Sequence, residues 1–269
     1  MVYYDDLAIQ IVNRYLNKYN LNVDTLDYYI KNILVNYNQI YETEIDGIPF
    51  KFSDSVISNT VNLVTNEINA ANEYDFKNID FKPGDKVIDI GGNIGMVSIY
   101  LAKKYPFLKI YAFEPVTQNY ENFLINIQLN QIPKGTITVE HKAITCDGRN
   151  INMSINALNS GGSSISDVIS VGEVTQECNC NLKSTTLEKV MCKHKIKNLK
   201  LLKIDCEGSE YEILYGTTQD YLKRIECLRG EFHENKDLTQ EYDIDALEQY
   251  IRQYVPDVKI VPARGCFVM

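Results

Sequence analysis

The sequence predicts an α/β fold: a mostly parallel sheet with helices on both faces, preceded by a helical element that carries a β-hairpin. Two observations carry this prediction. From Lys82 onward short apolar runs alternate with amphipathic stretches, the pattern of a sheet built from βαβ units. Before Lys82 the apolar residues recur at helical spacing and break only around YETEIDGIPFKF, two extended runs flanking Asp46-Gly47. With 269 residues, 45% of them hydrophobic, the chain can bury a sizeable core, which excludes the disordered and collagen-like classes.

In order along the chain, residues 2–36 read as two amphipathic helices, the second with Asp24 as its N-cap. Asp46-Gly47 tolerates positive φ and so marks a tight hairpin turn. Ser55 to Asn69 reads as a third helix. The sheet then takes KVIDI (86–90), KIYAF (109–113), TITVEH (136–141), LKLLKID (199–205) and IECLRGEFH (225–233) as strands. Helices are expected at 95–104, 117–130, 187–193, 209–215 and 243–254, and DVKIV with GCFVM forms a closing hairpin. Residues 145–185 interrupt the alternation and read as a lid or insertion. The division is therefore a cap over 1–80 and a catalytic domain over 81–269.

The net charge of -9 gives no global field for nucleic-acid phosphates or anionic membranes. Seven cysteines, an odd number, with no secretory pattern before them, indicate free thiols and a cytoplasmic location. The apolar runs are too short to span a bilayer. The oligomeric state has no signature in the sequence.

The most informative segment is KVIDIGGNIG (86–95), where a buried strand ends in an acid and a glycine turn opens into a helix. Gly91 and Gly95 permit a tight turn and close backbone approach, and the helix start offers free N–H groups. The spacing is not the GxGxxG of dinucleotide sites, whose middle glycine admits a pyrophosphate. With Asp89 it reads DxGxxxG, the nucleoside-side loop of S-adenosylmethionine (SAM) enzymes, in which an acid suits the ligand's ammonium. Glu114, at the end of the next strand in YAFEP, stands where a carboxylate can accept hydrogen bonds from ribose hydroxyls.

VIDIGGNIG, YAFEP followed by ENFLINIQLN, and LLKIDCEGSEYEIL together resemble the FkbM family of SAM-dependent methyltransferases over about residues 80–235. The resemblance implies a Rossmann-like class I methyltransferase fold, a seven-stranded sheet with one reversed strand. It also implies methyl transfer to a hydroxyl of a sugar, glycan or secondary metabolite. Carried over by residue, Asp89, Gly91, Asn93 and Gly95 match the SAM loop, Glu114 the ribose acid and Ala143 the adenine side. Ser163 and Ser164 resemble the family's serine-containing lid loop. Where the family commonly has alanine this chain has Gly92, a change expected to leave room for the ligand.

The second cluster, LLKIDCEGSE, gathers Lys203, Asp205, Glu207 and Glu210 at the C-terminal edge of the sheet, where open α/β sheets bind ligands. Like charges so close should raise at least one carboxyl pKa. SAM brings its own leaving group, so a hydroxyl acceptor needs alignment and the removal of one proton. Asp205, Glu207 or His233 are the candidate bases. Glu210 reads as a first-turn helix acid. A divalent metal is compatible with this edge but not expected. Two other readings stand beside O-methylation: N-methylation of an amino group on a sugar or amino-acid unit, and a SAM-binding module without catalysis.

Overall fold

The computed structural model describes residues 37–56, 58–156, 164–165, 175–206, 208–232 and 243–262, with Arg14 and Lys18, both helical, from the N-terminal stretch. For 153–156, 164–165 and 175–180 it describes the backbone alone. The two helices expected over 2–36 otherwise lie outside the described residues.

The hairpin forms as Asp46-Gly47 predicts. β1 (Asn38–Ile45) pairs antiparallel with β2 (Ile48–Ser55), with Ile45 opposite Ile48. Asp46 (φ 52°) and Gly47 (φ 75°) both take positive φ, the geometry a two-residue turn needs to match strand twist. The helix expected from Ser55 begins later, as α1 (Thr60–Asn69), because Ser55 is still paired in β2.

Beyond Lys82 the alternation folds into β3 (Lys86–Ile90), α2 (Met96–Lys104), β4 (Lys109–Phe113), α3 (Thr117–Leu129) and β5 (Ile137–Glu140). Two-residue β6 (Ala143–Ile144) follows. β7 (Ile151–Asn156), β8 (Ser164–Ile165) and β9 (Thr175–Leu182) make a separate three-stranded antiparallel sheet within the interrupting segment. Short β10 (Ser184–Thr185) pairs with β6. α4 (Leu187–Lys193), β11 (Leu199–Ile204), α5 (Glu210–Gly216), α6 (Gln219–Leu222), β12 (Ile225–Phe232), α7 (Ile244–Ile251) and β13 (Asp257–Pro262) complete the described chain.

The main sheet has six described strands in the order β13-β12-β11-β3-β4-β5, and every pairing is parallel. DVKIV joins as the parallel edge strand β13, and GCFVM, its expected hairpin partner, lies outside the described residues. No reversed strand occurs in the main sheet among the described residues. Strands buried on both faces read as continuous apolar runs, which is why KVIDI and KIYAF were visible without alternation.

Two cores flank the sheet. One joins Val87, Leu201 and Cys227 to α2, to Phe123 of α3 and to Phe50 and Phe52 of the hairpin. The other joins Ile88, Leu202 and Leu228 to α4, α5 and α7 through Leu187, Leu214 and Leu247. α2 is buried from Met96 to Ala102 because sheet and hairpin sandwich it. The N-terminal element thus packs on the sheet face that carries Asp89. The strand order reverses between β3 and β11, and there the two neighbouring strand ends diverge into a crevice.

Candidate functional site

β3 and β11 place the acids of both motifs at that crevice. Register aligns Ala112, Asp89, Lys203 and Arg229 across four strands, so their side chains share one face. Asp89 is 1% exposed. Its Oδ2 accepts a 2.6 Å hydrogen bond from Ser98 of α2, while Oδ1 accepts none and lies 3.4 Å from the Lys203 ammonium. Lys203 donates to the Gly91 carbonyl at 2.8 Å and sits 3.5 Å from Asp205. Burial works against its charge, but Asp89 and Asp205 outweigh it and hold the ammonium above the usual lysine range.

The glycine turn is a packing necessity. Gly91 has φ 73°, and a Cβ there would come 1.8 Å from the Asp205 carbonyl oxygen. Gly95, φ 92°, begins α2, and its Cβ would strike the Phe123 ring at 2.2 Å. At Gly92, which also lines the neighbouring cleft, a Cβ would meet Phe123 Cε1 at 2.9 Å and Ala112 Cβ at 3.6 Å, so the missing methyl leaves room for the phenyl ring. Asn93 takes φ 48°, a conformation asparagine tolerates, and its N–H points at Glu114.

Glu114 follows β4 and is 4% exposed. Oε2 accepts from Asn93 N and Oε1 from Val116 N, both at 2.8 Å, with Asn119 Nδ2 at 3.4 Å. Burial pushes its pKa up to about 7 against these hydrogen bonds. A carboxylate has about four lone-pair sites, so acceptor capacity remains after these bonds. Ala143 is buried with Val116 and Ile151, two residues along from Glu114 through Val116. Ser164 pairs with Ser154 in the separate small sheet, and Ser163 lies outside the described residues.

At the opposite lip, Asp205 follows β11 and accepts a hydrogen bond from Tyr74 OH at 3.3 Å. Burial, then Asp205 and Glu67, push the Tyr74 phenol far up, so it stays a donor. Glu210 uses both oxygens to close its own loop, taking Cys206 N and Gly208 N at 2.8 Å each, as a first-turn helix acid should. Glu207 and His233 lie outside the described residues. Among the described residues beside this edge, Glu67 of α1 is raised to about 7 by burial, then by Glu231, Asp205 and Glu73, with Lys203 opposing. Sequence reading missed Glu67, Tyr74 and Ser98. Tyr74 meets Asp205 across 131 residues, and no local spacing signals that.

A cleft opens among Thr60, Val64 and Tyr74 on one side and Gly91, Asn93, Lys203 and Asp205 on the other. Asp89 and Glu114 lie buried at the strand ends behind this glycine loop, and their chemistry fits SAM: a carboxylate for an ammonium and acceptor capacity for hydroxyls. Among the described residues, no three His, Cys, Asp or Glu side chains are arranged to hold a metal ion.

The methyltransferase FkbM domain model matches residues 89–256, more than half of the chain. The chain belongs to the FkbM methyltransferase family. This FkbM protein is similar to Methyltransferase sdnD of Sordaria araneosa, 25% identical over 56% of this chain and 67% of that one. It is also similar to Methyltransferase 1 of Beauveria bassiana, 24% identical over 56% of this chain and 65% of that one. It thus spans about two thirds of the length of these curated relatives. The crystal structure of methyltransferase FkbM from Methylobacillus flagellatus aligns at a TM-score of 0.42 and 14% identity, over 68% of this chain and 41% of that one. In the FkbM chain no described helix is long and apolar enough to cross a membrane.

Proposed function

We propose that this FkbM protein transfers the methyl group of SAM to a hydroxyl of a sugar, glycan or related small polar acceptor. The observation that carries the reading is the pair Asp89 and Glu114 on adjacent strand ends around one glycine loop, with Asp89 Oδ1 engaged, among the described residues, by the Lys203 ammonium alone, at 3.4 Å. In this reading Asp89 takes the ammonium of SAM and Glu114 its ribose hydroxyls. Gly91, Asn93 and Gly95 shape the loop, Ala143 flanks the adenine, and Ser164 belongs to the lid. When bound, SAM supplies an activated methyl group and its own leaving group.

The chain's own residues have two tasks: to align the acceptor oxygen and to take its proton. Lys203 fixes the Gly91 carbonyl between Asp89 and Asp205, so the cofactor loop and the catalytic lip keep one spacing. Asp205, oriented by Tyr74, Glu207 and His233 are the proposed proton acceptors, the last two on the strength of their sequence positions.

Incubation with 13C-methyl SAM and a panel of free sugars, nucleotide sugars and oligosaccharides tests the proposal. A methyl resonance on oxygen supports it. Transfer to nitrogen instead selects the amine reading, and SAM binding without transfer to any acceptor selects the non-catalytic one. EDTA is expected to leave turnover unchanged. Asp205→Asn should lower turnover at least about 100-fold with SAM affinity retained, the scale of a lost general base.

A further inference from the structure

α3 turns Asn122, Phe123, Asn126 and Asn130 toward the hairpin and the glycine loop. Asn126 is completely buried. Its Oδ1 accepts from Ser53 N at 2.6 Å, and its Nδ2 donates to Ser53 O at 3.1 Å and to Ile94 O at 2.9 Å. One turn later Asn130 repeats the pattern, accepting from Lys51 N at 3.2 Å and donating to Lys51 O at 2.6 Å. One turn earlier Asn122 Oδ1 accepts from Ser53 Oγ at 3.2 Å and from Asn38 Nδ2 at 2.8 Å. Four helical residues advance about 6.0 Å and two strand residues about 6.6–6.8 Å, so amides spaced i, i+4 meet alternate residues of an edge strand. The outer edge of β2 is therefore paired by side-chain amides as it would be by a third strand.

Asn126 differs from its neighbours because it also holds Ile94. That residue lies between Asn93, bound to Glu114, and Gly95, packed on Phe123. On the hairpin side, Ser53 precedes Asp54, which shares the inward face of Phe50 and Phe52. Asp54 is buried and accepts a 2.8 Å hydrogen bond from Ser55 N. One amide thus joins the glycine loop to the outer edge of the hairpin.

We propose that Asn126 is a positioning residue of the cofactor site, through which ligand binding at the glycine loop and docking of the hairpin at Ser53 are coupled. The inference rests on the SAM reading above. Coupling is reciprocal: a ligand that orders Ile94 tightens the hairpin at Ser53, and loss of the Ser53 contact weakens the ligand.

The test combines calorimetry with amide hydrogen exchange on the full chain, using S-adenosylhomocysteine as the probe. Saturating ligand should slow exchange at Ser53 about tenfold, with no comparable change at Lys51 or in β13. Asn130→Ala should speed exchange at Lys51 and leave ligand affinity within about twofold, whereas Asn126→Ala should weaken affinity about tenfold and abolish the ligand's effect on the hairpin. Hairpin exchange in the unmodified protein that ignores bound ligand overturns the coupling, even if Asn126→Ala does not fold. So does an Asn126→Ala protein that binds normally. Failure of the unmodified protein to bind S-adenosylhomocysteine overturns the proposed function first, and the coupling with it.

Discussion

Single residues set the shape of the glycine turn, and adjacent Gly91 and Gly92 do so for different reasons. Gly91 has both a positive φ and a carbonyl oxygen where a methyl would go. Gly91→Ala should therefore destabilise by about 3 kcal/mol or more, through backbone strain plus displacement of the β11 end. Gly92 has an ordinary φ and the edge of a phenyl ring as its one close contact, with Ala112 Cβ at ordinary distance, so Gly92→Ala should cost about 1 kcal/mol, as the ring shifts. Urea denaturation midpoints separate the two. DxGxxxG was legible because glycine and a strand-end acid are local signals. What lies against each glycine was not, since Phe123 and Asp205 arrive from distant elements.

Among elements, the hairpin and α2 are fastened at the Asp46 turn. Asp46 accepts 2.6 Å contacts from Tyr100 OH, Lys104 and Lys77. Burial would raise its pKa, but the hydrogen bonds from Lys104, Lys77 and Tyr100 outweigh it and hold the carboxyl below the ordinary range. A depressed folded pKa gives stability that is fully present above the ordinary carboxylate range and is lost progressively as pH falls below that range towards the depressed value. Asp46→Asn keeps the left-handed turn and removes the charge, so it should cost about 1–3 kcal/mol at neutral pH and converge with the unmodified protein in acid. Thermal melts at pH 7 and pH 3 measure this. The hairpin, the Rossmann-type strands and most helix bounds were readable from turn chemistry and buried runs. The asparagines of ENFLINIQLN were not, because a polar side chain every fourth residue looks like a solvated stripe until an edge strand is placed against it.

In the whole molecule, raised and lowered carboxyls oppose each other. Glu114 and Glu67 are held at about 7 and Asp54 at about 6, chiefly by burial. Their folded pKa values exceed the unfolded ones, so the stability they confer is present in acid and lost as pH rises through 6 to 7. Asp46 and Glu140 act the other way, at lower pH. The unliganded protein should thus melt at higher temperature near pH 5.5 than near pH 8, and Glu114→Gln should flatten that slope. Ligand affinity should run opposite, strengthening as pH rises through 7, because the ionised Glu114 is the better acceptor for hydroxyls. The acidity first seen in the composition divides at this scale. Part of it is surface charge, and part is concentrated at one crevice where the strand order reverses.

The central claim is that Asp89 and Glu114 hold a SAM-type nucleoside at that crevice, and calorimetric titration of S-adenosylhomocysteine tests it most directly. The prediction is one site per chain in the unmodified protein and no measurable binding in Asp89→Ala or Glu114→Ala, with both variants confirmed as folded. Unchanged binding in the folded variants would contradict the site.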